Sequence, residues 1–134
     1  MTKENKFKFY KKKGNSYEPK ASEDYFVSSE GDVYYANFAD NYLSDVSSDM
    51  IAVQYTGLKD KNGTKIFEGD IVKIIQKTET LLDKVIYDNH LCGHRFEGLA
   101  SDYCDFCDWL REGAEFEVVG SIYENPELLG GKND

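Results

Sequence analysis

All three cysteines and both histidines of the 134-residue chain fall within eighteen residues: His90, Cys92, His94, Cys104 and Cys107. Cys104-Asp105-Phe106-Cys107 is a C-x-x-C pair. Cys92-Gly93-His94, or Cys92 with His90, supplies the two further donors that tetrahedral zinc needs. Such an ion would tie two segments together and carry no reaction. Two features oppose it: C-x-H is an unusual first pair, and the two pairs are closely spaced. The C-x-x-C also lies in an amphipathic pattern rather than in a Gly-bearing turn, with Cys107 on the apolar stripe. The competing reading is a pair of buried thiols, because a free Cys packs as a small hydrophobe. We adopt that reading and assign no metal, cofactor or catalytic residue.

Other chemistry finds less support. A redox C-x-x-C needs a βα unit ahead of it and a helix N-terminus to lower the thiol pKa; the helix start is there and the βα unit is not. A zinc deaminase needs H-x-E and P-C-x-x-C, whereas Phe96 stands two residues after His94 and Tyr103 precedes Cys104. No G-x-S-x-G, P-loop or G-x-G-x-x-G occurs. Asp102, Asp105, Asp108 and Glu112 share the polar side of the same pattern; they read as a solvated face, with a divalent cation as the alternative. Trp109, the single Trp, reads as core, with an interaction anchor as the alternative.

These residues must be positioned by strands. Ten Tyr and eight Phe against two Pro favour sheet over bundled helices. Lys6 to Tyr10 alternates basic and aromatic residues, the pattern of a half-buried edge strand whose lysines discourage pairing with other chains. The same lysines and rings form a basic-aromatic arm that could touch nucleic acid. Tyr25-Phe26-Val27 and Val33-Tyr34-Tyr35 flank a Gly-bearing connection and read as a hairpin. Phe38 to Ser48 reads as loop or a turn of helix, and Met50 to Tyr55 as a strand.

The chain is organised around residues 54–74. Asn62-Gly63 is a strong hairpin signal, since tight turns need residues that tolerate φ > 0. Glu68-Gly69-Asp70 then breaks the chain before the aliphatic strand Ile71 to Ile75. Another strand falls at Val85-Ile86-Tyr87, and Asp88 to Gly98 reads as irregular. Ser101-Asp102 signals a helix start, followed by Tyr103, Phe106, Cys107 and Leu110 at the spacing of one buried face. Gly113 ends that helix. Glu115 to Tyr123 is a strand stopped by Asn125-Pro126, and the tail from Gly130 reads as frayed. The expected fold is mainly β with one short late helix: a bent sheet plus a small SH3-like barrel. Residues 1–53 form the N-terminal β element and 54–134 the barrel with a helical insertion, the two expected to behave as one cooperative unit.

"QYTGLKDKNGTKIFEGDIVKI" (54–74) and "EVVGSIYENPELL" (117–129) resemble the YopX-like family of phage and prophage proteins. The first two dozen residues fit that family loosely. The resemblance implies a small β-rich phage protein that self-associates, and it carries no catalytic residue.

Net charge is −9 and unevenly spread: residues 1–20 hold seven Lys against two Glu, or +5, which leaves −14 on the rest. Such a body repels phosphate, which argues against nucleic acid along the main surface and suits a basic partner or mimicry of nucleic acid. No apolar run nears the ~20 residues that span a bilayer, and no apolar segment follows the basic start. The expectation is a cytoplasmic protein of a bacterial host, with reduced thiols. It would act without catalysis, by binding a host or phage protein or by self-assembly, possible roles being host takeover and anti-defence. The alternatives are a nucleic-acid module using the basic arm and a small zinc-stabilised binding domain.

Overall fold

The computed structural model describes residues 7–88, 93–98 and 106–130. They fall into two compact units, Met1–Gln54 and Tyr55–Asp134.

The first unit opens with β1 (Phe7–Lys13), which turns through Gly14 at φ 60° into β2 (Ser16–Lys20). The hairpin closes at Lys13↔Ser16, and Glu18 pairs with both Lys13 and Lys20. A 3-10 turn, Ser22–Asp24, leads to β3 (Tyr25–Val27), and β4 (Val33–Asn37) returns antiparallel with Tyr25 opposite Tyr35. Ser28 shapes that expected hairpin by accepting from the backbone N–H groups of Glu30 and Asp32. A second 3-10 turn, Phe38–Asp40, precedes β5 (Tyr42–Asp45) on the other side of β4. Within the stretch read as loop or helical turn there is thus a strand. The first half of β6 (Met50–Lys59) pairs with β1, from Phe7↔Gln54 to Lys11↔Met50.

One expectation is overturned here. β1 is flanked by β2 and β6 and is no edge strand. Its alternation also breaks: Phe9 and Tyr10 are adjacent and both buried. Alternation reports which face is covered and not how many neighbours lie in the plane. Phe9, Val33 and Met50 form the unit's buried cluster, with Tyr25, Val27 and Val46 against it.

The second unit is built on the curled, half-barrel sheet β10-β9-β8-β11, antiparallel throughout. The second half of β6 enters it and pairs with β7 (Lys65–Phe67) across the Asn62-Gly63 turn, where Gly63 has φ 84°. Asp60 fixes that turn. Its carboxylate accepts from the N–H of Asn62 (2.8 Å), Thr64 (2.9 Å) and, from far along the chain, Val118 (2.9 Å). The short reversal between β7 and β8 (Asp70–Ile75) depends on Gly69, at φ 84°. A Cβ there would lie 2.6 Å from a ring carbon of Tyr123, so only Gly fits beneath that ring. Asp70 then accepts from the Phe67 N–H at 2.7 Å.

In β8, Ile71, Val72 and Ile74 are all at 0% exposure, as an apolar run covered on both faces should be. Fully burying each such side chain stabilises by about 1.5–3 kcal/mol. β9 (Thr80–Asp88) runs back along β8, and β10 (Gly93–Phe96) pairs with its far half, from Val85↔Phe96 to Asp88↔Gly93. The segment read as irregular therefore holds a strand. Phe96 sits against Phe106 and Phe116, with ring centroids 4.8 and 5.3 Å away.

α1 (Phe106–Arg111) follows, and Gly113 ends it at φ 93° while the Ala114 N–H bonds back to the Trp109 carbonyl. The expected helix start at Ser101-Asp102, and Tyr103, lie outside the described residues. The buried face is Phe106 and Trp109, at 5% and 3% exposure, whereas Leu110 is 44% exposed. The indole takes the place expected of Leu110: a helix this short turns one narrow side inward, and Trp109 fills it. β11 (Glu115–Ser121) pairs with β8 through a bulge between Val118 and Gly120, and α2 (Glu127–Gly130) follows Pro126. The expectation of a mainly β chain with a short late helix holds, with α2 as an added single turn.

Candidate functional site

Of the five potential zinc donors, His90, Cys92 and Cys104 lie outside the described residues. Cys107 is on α1. Only His94 has a described side-chain environment, and it faces a carboxylate rather than a thiol. On β10 its Nε2 lies 3.1 Å from Glu68 Oε2, with the side chains 12% and 26% exposed. The ring edge of His94 packs on Tyr87, its register partner across the sheet, at 5.3 Å between centroids. Among the described residues no group of three or more His, Cys, Asp or Glu is gathered as metal ligands. Of the four acidic residues read as a solvated helix face, Glu112 is exposed, and Asp102 and Asp105 lie outside the described residues. Trp109 is core.

Glu68 was missed from the sequence. Its signal was present in Glu68-Gly69-Asp70, but its partner stands on a strand that was read as irregular. Glu68, Tyr87 and Tyr123 also line an open groove of about 300 Å³, together with Lys84, Val85 and Ile86. Beside it, Lys84 pairs with Glu97 at 3.2 Å and Arg95 with Asp88.

Asp60 is a buried acid with a clear displacement. Burial pushes its carboxyl up, but the N–H groups of Val118, Thr64 and Asn62, with the nearby Lys61 charge, more than offset this and hold it below the usual carboxylate value. Three donors at one anion describe a structural clamp: Asp60 is 8% exposed, too enclosed to meet a substrate.

The first unit offers a different kind of surface. β-strand alternation places Phe26, Tyr34 and Leu43 on one face of the β3-β4-β5 sheet, with Tyr25, Val33 and Val27 on the other. The second face packs on the Phe9 cluster. On the first, Phe26 stacks on Tyr34 at 5.4 Å, yet Phe26 and Leu43 remain 43% and 60% exposed. Tyr42, 53% exposed, lies on the second face, opposite Asn37 and in contact with Tyr35. The basic arm fares otherwise: Phe9 and Tyr10 are 4% and 1% exposed, so neither ring is open to stack on a base.

No curated protein matches the chain at a significant level. The family model for the YopX protein matches residues 1–130, almost the whole sequence. The exposed aromatic sheet, the Asp60 clamp and the Gly69 reversal are therefore features of a chain that belongs to the YopX family.

Proposed function

We propose that this chain acts by binding protein, a partner or a second copy of itself, and performs no catalysis. The observation that carries the reading is the outer face of the β3-β4-β5 sheet, where Phe26, Tyr34 and Leu43 line up with two large apolar side chains about half exposed. Large aromatics at low conformational cost are the usual anchors of protein interfaces. YopX membership suggests a phage-type protein, and a host protein occupied during takeover or defence is the partner we favour. The Gly69 reversal and the curled sheet of the second unit support reading it as SH3-like. The burial of Phe9 and Tyr10 weighs against the alternative of a basic arm that binds nucleic acid.

Native mass spectrometry of the wild type and of the Phe26→Ser/Leu43→Ser double variant tests this, together with capture of partners from host lysate on each. We expect an oligomer or a captured protein for the wild type and its loss in the double variant, with melting unchanged. A wild-type monomer that captures nothing, or a double variant that associates as well as the wild type, overturns the reading.

A further inference from the structure

A second interaction surface lies in the other unit, independent of the sheet face just described. β9 is longer than the strand beside it. Its pairing with β8 ends at Ile71↔Lys84, and the Gly69 N–H makes the last bond, to the Val85 carbonyl. On the other side, β10 continues to Asp88↔Gly93. Residues 86–88, about 10 Å of strand, thus have a neighbour on one side and the groove on the other.

Alternation fixes which backbone groups face the gap. The Lys84 carbonyl accepts from the Glu97 N–H on the β10 side, and the Val85 carbonyl faces the β8 side. Ile86 and Asp88 therefore address β10, while the N–H and C=O of Tyr87 point into the groove. Among the described residues nothing bonds to either group. A strand presenting an open donor and acceptor between two walls is a template for one more strand.

We propose that this groove accepts a short extended segment of a partner protein, added to the β8 side of β9 and carrying a Lys or Arg. Tyr87 supplies the backbone pair, and the rings of Tyr87 and Tyr123 wall the groove. Charge selects a basic residue. Residues 55–134 hold nine Lys and Arg against sixteen Asp and Glu, a net of −7. Glu68 is the one acid in the lining and Lys84 the one cation, and Lys84 is already paired with Glu97, so the tyrosine faces and the surrounding negative charge suit a cation. A volume of about 300 Å³ holds a few residues of strand and no folded domain.

Amide hydrogen exchange and NMR titration on the intact protein test the proposal. In the free protein the Tyr87 amide should exchange at least about tenfold faster than those of Ile86 and Asp88. The probes are blocked pentapeptides of Thr and Val with Lys, Glu or neither at the centre, taken to millimolar concentration. The Lys peptides should perturb Tyr87, Glu68 and Tyr123 and slow the Tyr87 exchange by about tenfold, and the Glu peptides should not. N-methylation of one alternate set of peptide amides should abolish binding, and methylation of the other set should not. A Tyr87 amide already protected in the free protein, silence from every peptide, or indifference to both methylation patterns overturns it.

Discussion

The two units keep themselves folded by different means. The second has nine mutually packed buried side chains, among them Ile74, Val85, Phe96, Trp109 and Phe116. Among the described residues the first has a cluster of three, Phe9, Val33 and Met50, with Tyr10, Ala36 and Val53 buried outside it, and leans on partly exposed rings laid across its strands. A core that small cannot use every aromatic the sequence supplies, so some finish on the outside. What looks like a poorer fold is a surface rich in rings, while the better-packed unit keeps Phe96, Phe106, Trp109 and Phe116 inside, with Tyr87, Leu110 and Leu128 its exposed large apolar side chains among the described residues.

Removing the ring that touches three others is the most direct attack on this contrast. Phe96→Ala takes away the side chain that meets Phe106, Trp109 and Phe116, and should cost about 3–5 kcal/mol in urea unfolding. Met50→Ala, in the smaller cluster, should cost about 2 kcal/mol, because partly exposed neighbours can close over the gap. Equal losses would mean that the first unit is packed as tightly as the second.

Asp60→Ala should cost about 1–3 kcal/mol by leaving the N–H groups of Asn62, Thr64 and Val118 without their acceptor. The folded-state pKa of Asp60 is lowered, so its contribution is complete above the unfolded carboxyl value and fades as pH falls through the folded value. The gap in urea midpoint between wild type and variant should therefore shrink from neutral pH toward about pH 3. A gap constant with pH would remove Asp60 from the clamp. Gly69→Ala should cost more than about 1 kcal/mol, because it meets both a positive φ and the Tyr123 ring. The smallest effect is expected at Phe26→Ser, within about 0.5 kcal/mol of wild type, since that ring is already about half in water. A large loss there would make the outer face structural rather than available.

What was legible in the sequence follows the same physics. Asn62-Gly63, Gly69 and Gly113 were readable because each sits where the backbone needs a positive φ. Ile71 to Ile75 was readable because it is β-branched and aliphatic apart from Lys73, and Ile71, Val72 and Ile74 are fully buried. The strands that escaped have weak patterns of their own. β2 contains Pro19 and no inward aliphatic side chain, and is held by β1 and by the Lys13–Glu18–Lys20 pairs. β10 has one apolar side chain, Phe96, and exists because β9 extends far enough to receive it. Glu68 and His94 stand 26 residues apart, and without β10 nothing local could join them. Leu110 was placed inward by helical spacing alone, which cannot weigh a Leu against a neighbouring Trp.

The bond from Val118 to Asp60 spans 58 residues, and the Lys61 N–H likewise bonds to the Phe116 carbonyl. The Asn62-Gly63 turn can form early, yet its carboxylate is not fully engaged until β11 arrives. On a chain emerging from the ribosome, β6 to β9 would be made well before the strand that completes β8. The second unit is therefore the late folder of the two, with its apolar β8 open along one edge until synthesis reaches Ser121. That interval is when the protein is most exposed to chaperones and to its own copies.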